Sequence, residues 1–304
     1  MVVLVTGANG QLGQAIRFIS EKYAEIEFKF CSSSDLDITS KENCHLVFTK
    51  FKPDYCINAA AYTAVDKAES EQEKAHLINV IGVKNLAEVC KEFSTTLLHV
   101  STDFVFDGNR SVTSSAVEMP YTEKDLPNAT GVYGQTKLDG EKAIQETFDN
   151  YFIIRTSWVY SQFGNNFMKT MLRLASERDS LSVVSDQIGT PTNAVDLAEV
   201  LIKIISSCHS ELVYFVSSQK LGSKSNFGIY NFSNEGQCSW YDFAKKIFEV
   251  NNISINLQPI PTSAYPTPAK RPAYSVLDKS KIKRVFGVEV KNWEESLREI
   301  IFNK

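Results

Sequence analysis

Two hydrophobic periods alternate along the first half of this chain. Val2-Val3-Leu4-Val5 is a continuous apolar run, the pattern of a strand buried on both faces. It passes through a glycine-containing stretch, residues 6–13, into Gln14-Ala15-Ile16-Arg17-Phe18-Ile19, where apolar positions take helical spacing. The same succession repeats downstream. Strands are predicted at 26–31, 54–61, 96–101 and 151–155, with helices at 41–51, 70–93 and 135–147 between them. Strands alternating with helices predict an α/β fold, a Rossmann-type doubly wound parallel sheet with helices on both faces. Ligands of such sheets bind beyond the carboxyl ends of the strands. Three polar clusters fall there: Asn58-Ala59-Ala60, Ser101-Thr102-Asp103 and Thr156-Ser157-Trp158.

The second half reads as a smaller C-terminal α/β unit. Phe167, Met168, Met171, Leu172 and Leu174 form one helical stripe, and Trp240, Phe243, Ala244, Ile247 and Phe248 another; both are expected in a core. The predicted division assigns residues 1–156 and 194–232 to a nucleotide-binding domain, and 157–193 and 233–304 to a substrate-binding domain. Residues 213–227 read as an extended strand and loop. Five of the nine prolines lie between Pro259 and Pro272, but apolar and helical sequence resumes from Leu277 to Ile301, which predicts an ordered arm and not a linker.

Composition narrows the function classes. With 304 residues and 43% hydrophobic content the chain can bury a sizeable core, and its net charge of -4 offers no basic face for nucleic acid. The six cysteines, at 31, 44, 56, 90, 208 and 238, include no C-x-x-C pair and read as buried thiols of a cytoplasmic protein. No basic segment leading into an apolar run opens the chain, and no apolar stretch approaches the roughly 18 residues of a membrane span. The four histidines are scattered, so no metal site is assigned. Surface acids such as Glu294 and Glu295 could hold Mg²⁺ between subunits, but solvated charge is the simpler reading. Oligomeric state is open, a homodimer included.

Two stretches carry candidate chemistry. Gly7, Gly10 and Gly13, between the first strand and the first helix, fit a turn whose backbone amides, from Asn9 through Gln11 and Leu12, cradle a pyrophosphate at a helix N-terminus. About 20 residues further on, where an acid that binds ribose is expected, stand Ser32, Ser33, Ser34 and then Asp35. Short hydroxyls admit a 2′-phosphate and Asp35 could take ribose hydroxyls, so NADPH is favoured over NADH without excluding it. Tyr133 and Lys137 stand one helical turn apart on one face, about 5–6 Å between Cβ atoms. A cation beside a phenol favours phenolate, so Tyr133 is expected to exchange a proton well below its usual pKa of about 10.

Together, Gly7-x-x-Gly10-x-x-Gly13, Asn58-Ala59-Ala60-Ala61, Ser101-Thr102-Asp103 and Tyr133-x-x-x-Lys137 resemble the extended short-chain dehydrogenases/reductases. The stretch 59–69, Arg155-Thr156-Ser157-Trp158-Val159-Tyr160, Gly164-Asn165-Asn166-Phe167, Asp186-Gln187-x-Gly189-x-Pro191-Thr192 and Arg271-Pro272 narrow this to a resemblance to the dTDP-4-dehydrorhamnose reductases, over nearly the whole chain. The resemblance implies hydride transfer from NADPH or NADH to the C4 ketone of a dTDP-linked 6-deoxy-4-ketohexose. Tyr133 would be the general acid, Lys137 its electrostatic partner and the holder of the nicotinamide ribose, and Thr102 a hydrogen-bond donor to the ketone oxygen. Ala59, Ala60 and Ala61 would leave room for the coenzyme, and Asp37 and Ile38 would flank its adenine. Asn166 and Arg271 would meet the substrate, Arg271 with Lys270 at its diphosphate. Trp158 reads equally as a sugar-packing ring or a core ring, and Asp103 as a substrate contact or a loop-ordering group. Phe104 stands where the family usually has tyrosine, beside cofactor and substrate. The alternatives are a non-catalytic NADP-binding regulatory subunit of the same fold, or another nucleotide-sugar 4-reductase or epimerase.

Overall fold

The computed structural model describes residues 1–109, 119–218 and 226–302. Its centre is a parallel sheet of five strands, β1 (Val2–Thr6), β2 (Glu27–Phe30), β3 (Tyr55–Asn58), β4 (Thr96–Thr102) and β5 (Tyr151–Thr156), extended beyond β5 by a sixth, Gly228–Asn231. The spatial order from that sixth strand is β5, β4, β3, β1, β2. Every pairing is parallel, with Val3 opposite Phe28 on one side and Tyr55 on the other. The chain therefore reverses its direction of winding at β1, and the crevice between β1 and β3 is the topological switch point where such sheets bind nucleotides.

Alternation along the strands explains why they read as continuously apolar. Val3, Val5, Ile57, Leu98, Phe152 and Ile154 enter one core layer with helix α1 (Gln11–Ile19) and the helix Ala194–Ser218. Their neighbours Leu4, Cys56, Leu97 and Ile153 enter the opposite layer, under α2 (Lys41–Phe51) and a helical stretch between β3 and β4. That stretch consists of α3 (Val65–Ala68), α4 (Gln72–His76), a π-helical segment Leu77–Gly82, and α5 (Val83–Glu92). The sixth helix, α6 (Val132–Thr147), packs on α5 and crosses the π segment.

A third core holds Tyr160, Met168, Met171, Leu181, Phe243, Ile247, Phe248, Trp293 and Leu297. It joins the helices Phe167–Glu177, Trp240–Val250 and Trp293–Phe302 to the parallel strand pair Ser180–Val184 and Asn256–Ile260. Both stripes expected to be core are in it. The proline-rich arm starts as one of these strands, passes through a 3-10 turn at Thr262–Ala264, and returns to bridge Tyr274 to Ile188.

Two expectations need correction. The helix predicted at 70–93 is interrupted by the π segment, where the Asn79 side chain bonds both backbone groups of Tyr62 (2.9 and 3.1 Å) and Thr136 Oγ1 (3.2 Å). The strand and loop predicted from Val213 is helix as far as Ser218, continuous with the run from Ala194; the part from 219 to 225 lies outside the described residues. Of the six cysteines five are buried, whereas Cys208 is only half-buried.

Candidate active site

The carboxyl ends of β1, β3, β4 and β5 converge on one face. At β1 the chain turns at Gly7, whose φ of 62° is left-handed, and a Cβ there would lie 2.7 Å from the Ala59 and Ala60 backbone. A Cβ on Gly13 would lie 2.5 Å from the Gly7 carbonyl. The glycines thus let α1 begin directly against β3. The N-terminus of α1 has no side-chain cap and no acid in its first turn, so its leading amides and positive dipole end stay available to an anion. These features fit a dinucleotide pyrophosphate. Gln11 ties the turn to the second half of the molecule, its Oε1 accepting from Asn166 Nδ2 (2.9 Å) and Ser161 Oγ (3.1 Å).

At the end of β2, Ser32 donates to Asp35 Oδ2 through N (2.9 Å) and Oγ (2.6 Å), and these bonds hold the carboxyl below its usual range. Asp37 is exposed and accepts from Thr39 (2.9 and 2.7 Å), while Ile38 is buried against Gly82. Ala60 is fixed at the end of β3, its N–H donating to Thr6 Oγ1 and Asn58 Oδ1, both at 3.2 Å. Ala61 follows in the loop.

Tyr133 is the second residue of α6, and Gly134 decides where it sits. A Cβ on Gly134 would fall 2.2 Å from the Phe104 carbonyl, so only glycine lets α6 press against the turn that follows β4. The helix is further anchored at its start by Glu69 Oε1, which accepts from Val132 N at 2.9 Å. Thr102, the last residue of β4, acts on the Tyr133 phenol, and the Phe104 ring meets the Tyr133 ring edge-on at 5.5 Å between centroids. The Thr102 hydroxyl accepts from Phe104 N (3.2 Å) and donates to Asp103 Oδ1 (3.1 Å). We expect Gly134→Ala to lower kcat about tenfold to a hundredfold by displacing Tyr133 from Thr102; steady-state kinetics showing wild-type kcat would refute that placement.

The electrostatics differ from the sequence expectation. Tyr133 keeps some exposed surface, yet the protein around it desolvates the phenol and pushes its pKa up to about 12, with Thr102 pulling down and Asp103 adding to the rise. The Lys137 amine, expected to face the phenol, points at β4. Nζ donates to the Val100 carbonyl at 2.7 Å and lies 3.3 Å from His99 Nε2. Burial brings Lys137 down to about 8, opposed by Glu141 one turn along. Asp103 is buried, with Oδ2 lacking a hydrogen-bond partner, and desolvation raises it to about 6. At neutral pH the phenol is protonated, the state a proton donor requires.

The remaining candidates lie along the seam between the sheet and the third core. Trp158 follows β5 with a left-handed φ of 47°, its ring stacked on Trp240 (centroids 3.6 Å apart, planes 10° apart) and abutting Gly189, where a Cβ would come within 2.6 Å of it. Asn166 caps the helix Phe167–Glu177 by accepting from Lys169 N (3.1 Å), and its amide also serves Ser161 O and Gln11. Arg271 forms a two-pronged ion pair with Asp66 (2.7 and 3.0 Å), joining the arm to α3. The structure thus brings Thr102, Asp103, Phe104, Tyr133 and Lys137 together, whereas Asn166 and Arg271 are occupied by protein partners. Among the described residues, no cluster of three or more histidine, cysteine or acidic side chains could hold a metal.

Residues 1–304 match the family model described as the RmlD substrate binding domain. A dTDP-4-dehydrorhamnose reductase of Aggregatibacter actinomycetemcomitans is 42% identical over 305 residues, 98% of this chain and 97% of the relative. The chain belongs to the dTDP-4-dehydrorhamnose reductase family. Solved members of that family share its shape. One from Clostridium acetobutylicum superposes with a TM-score of 0.89 at 40% identity, covering 100% of this chain and 99% of its own. One from Bacillus anthracis, in complex with NADP, gives 0.87 at 37% identity with the same coverage.

The sequence alone assigns no role to Gly134, to Glu69 within the stretch 59–69, or to His99. Gly134 stood directly beside the tyrosine already singled out, and a glycine in the first turn of a helix is a signal of close approach. His99 interrupts an apolar strand with a titratable group, which was the available hint.

Proposed function

We propose that this protein reduces the C4 ketone of dTDP-4-dehydro-β-L-rhamnose to dTDP-L-rhamnose, the last step of that nucleotide sugar's synthesis. The observation that carries the reading is the Tyr133 phenol set beside Thr102 at the end of β4, its pKa raised by desolvation, in a chain of this family. A bound nicotinamide supplies the hydride. As the ketone oxygen gathers negative charge, Thr102 orients it and Tyr133 gives it a proton. The phenolate left behind is where the ammonium form of Lys137 is needed, since an opposite charge within about 4–6 Å favours the ionised phenol. The uncapped α1 N-terminus holds the pyrophosphate, Ala59, Ala60 and Ala61 leave space beside it, and Ile38 with Asp37 flanks the adenine. Arg271 would meet the sugar nucleotide by exchanging Asp66 for phosphate, with Asn166, held by Gln11 and Ser161, and Trp158, stacked on Trp240, bordering the same seam. Residues 1–156 and 194–232 carry the coenzyme, and 157–193 with 233–304 the substrate.

NADPH is the favoured coenzyme. Ser33 and Ser34 offer hydroxyls where a 2′-phosphate would lie, while the Ser32 hydroxyl engages Asp35 and keeps it from the ribose. The free thiols suit the reducing cytoplasm, and among the described residues no helix is long and apolar enough to cross a membrane. The test is consumption of NADPH and of NADH by purified protein given the dTDP-4-keto sugar, with a higher kcat/KM expected for NADPH. Tight coenzyme binding without turnover would overturn the enzymatic reading in favour of a regulatory subunit.

A further inference from the structure

His99 lies in the middle of β4, fully buried, in a chain of polar contacts that runs across the sheet beneath the site. Thr6 Oγ1 donates to Asn58 Oδ1 at 2.7 Å, Asn58 Nδ2 lies 3.0 Å from His99 Nδ1, and His99 Nε2 lies 3.3 Å from Lys137 Nζ. Four elements, β1, β3, β4 and α6, each contribute one member.

The direction of these bonds is fixed from one end. The Ala60 N–H can only donate, and it points at both Thr6 Oγ1 and Asn58 Oδ1. Turning the Asn58 amide over would set its NH₂ against that N–H, donor against donor, so its oxygen faces Ala60 and its nitrogen faces His99. The amide nitrogen donates, and His99 Nδ1 accepts. Burial holds the imidazole well below its ordinary pKa, so the ring is neutral, and with Nδ1 accepting from Asn58 its single proton sits on Nε2. That N–H is aimed at Lys137. An ammonium there would oppose donor to donor, whereas a neutral amine accepts from His99 and donates to the Val100 carbonyl at 2.7 Å.

We infer that His99, oriented by Asn58 and Thr6, is a positioning residue that holds Lys137 on β4 and favours its neutral amine in the ligand-free protein. The groups that bear on this arrangement are few. Glu141, on the same helix, favours the charged lysine, but Arg155 from β5 and Ser101 from β4 already bind its carboxylate. Tyr133 is neutral, and Asp103 acts on that phenol. The consequence for turnover rests on the proposed reductase reading: phenolate at Tyr133 favours the ammonium form of Lys137 and draws the amine away from His99.

The first test uses unaltered, ligand-free protein. Long-range ¹H–¹⁵N spectra of the His99 ring are expected to show the proton on Nε2; a proton on Nδ1 overturns the inference. The second follows the Lys137 ¹³Cε signal, assigned by its loss in Lys137→Met, which should half-titrate near 8. His99→Phe removes the donor, and Asn58→Leu frees the ring to change tautomer. Each is expected to move that midpoint up by about one pH unit, the scale of one hydrogen bond. A midpoint unmoved in both variants overturns the role of His99 while leaving the ketone reduction intact; inactivity of the wild type toward the keto sugar would instead strike the reductase reading alone.

Discussion

Tyr133→Phe should bind coenzyme and yet turn over at least about a hundredfold more slowly, since general acid catalysis contributes about 10²–10⁴-fold. The substitution removes one oxygen and little else. The ring can keep its edge-on contact with Phe104, and the approach of Gly134 to the Phe104 carbonyl is unchanged, so α6 has no reason to move. What disappears is a phenolic proton that desolvation holds on its oxygen to about pH 12. Thr102 does not replace it, because an aliphatic hydroxyl is a far weaker acid than a phenol. The loss should therefore fall on kcat more than on KM, and coenzyme titration should match the wild type. Wild-type kcat in this variant would remove Tyr133 from the mechanism.

The fold was legible because its signals are local. Continuous apolar runs at β1, β3 and β5 marked strands covered on both faces, and the glycines at 7, 10 and 13 marked a close approach that the structure locates at the β3 backbone. The constellation of Thr102, Tyr133 and Lys137 was legible because each falls at a strand end or a helix start. Its electrostatic state was not. Spacing placed Lys137 and Tyr133 on one face, but the amine's direction is set by His99 and the Val100 carbonyl, partners nearly forty residues away in sequence. Asn79 is a similar case: the residue reads as one more polar position in a helix, and the π segment turns it onto Tyr62 and Thr136. Arg271 carried a plausible charge for phosphate, but nothing in its neighbourhood in sequence announces that Asp66 holds it.

The largest expected effect on stability lies beneath the site, at Glu141 and Arg155. Glu141 is 0% exposed and Arg155 2%. The guanidinium reaches the carboxylate through Nε (3.0 and 3.2 Å) and Nη2 (2.7 Å), and Ser101 Oγ donates to the same carboxylate at 2.5 Å. Arg155 Nη1 already lacks a partner, and its guanidinium carbon sits 5.2 Å over the Phe106 ring. Glu141→Leu would leave a full positive charge in the core with only that ring beside it. Removing one member of a buried pair is destabilising by about 3–5 kcal/mol, a large part of the roughly 5–15 kcal/mol available to a folded protein. Urea unfolding should show that loss as a lower midpoint with an unchanged slope. The double replacement Glu141→Leu with Arg155→Met removes both charges together and should recover most of it, because the attraction within such a pair does little more than offset the desolvation of its members. A double variant as unstable as the single one would mean that the pair is held for packing and not for charge. If stability returns while kcat stays low, the buried pair serves the site by fixing α6, and with it Tyr133 and Lys137, against β4 and β5.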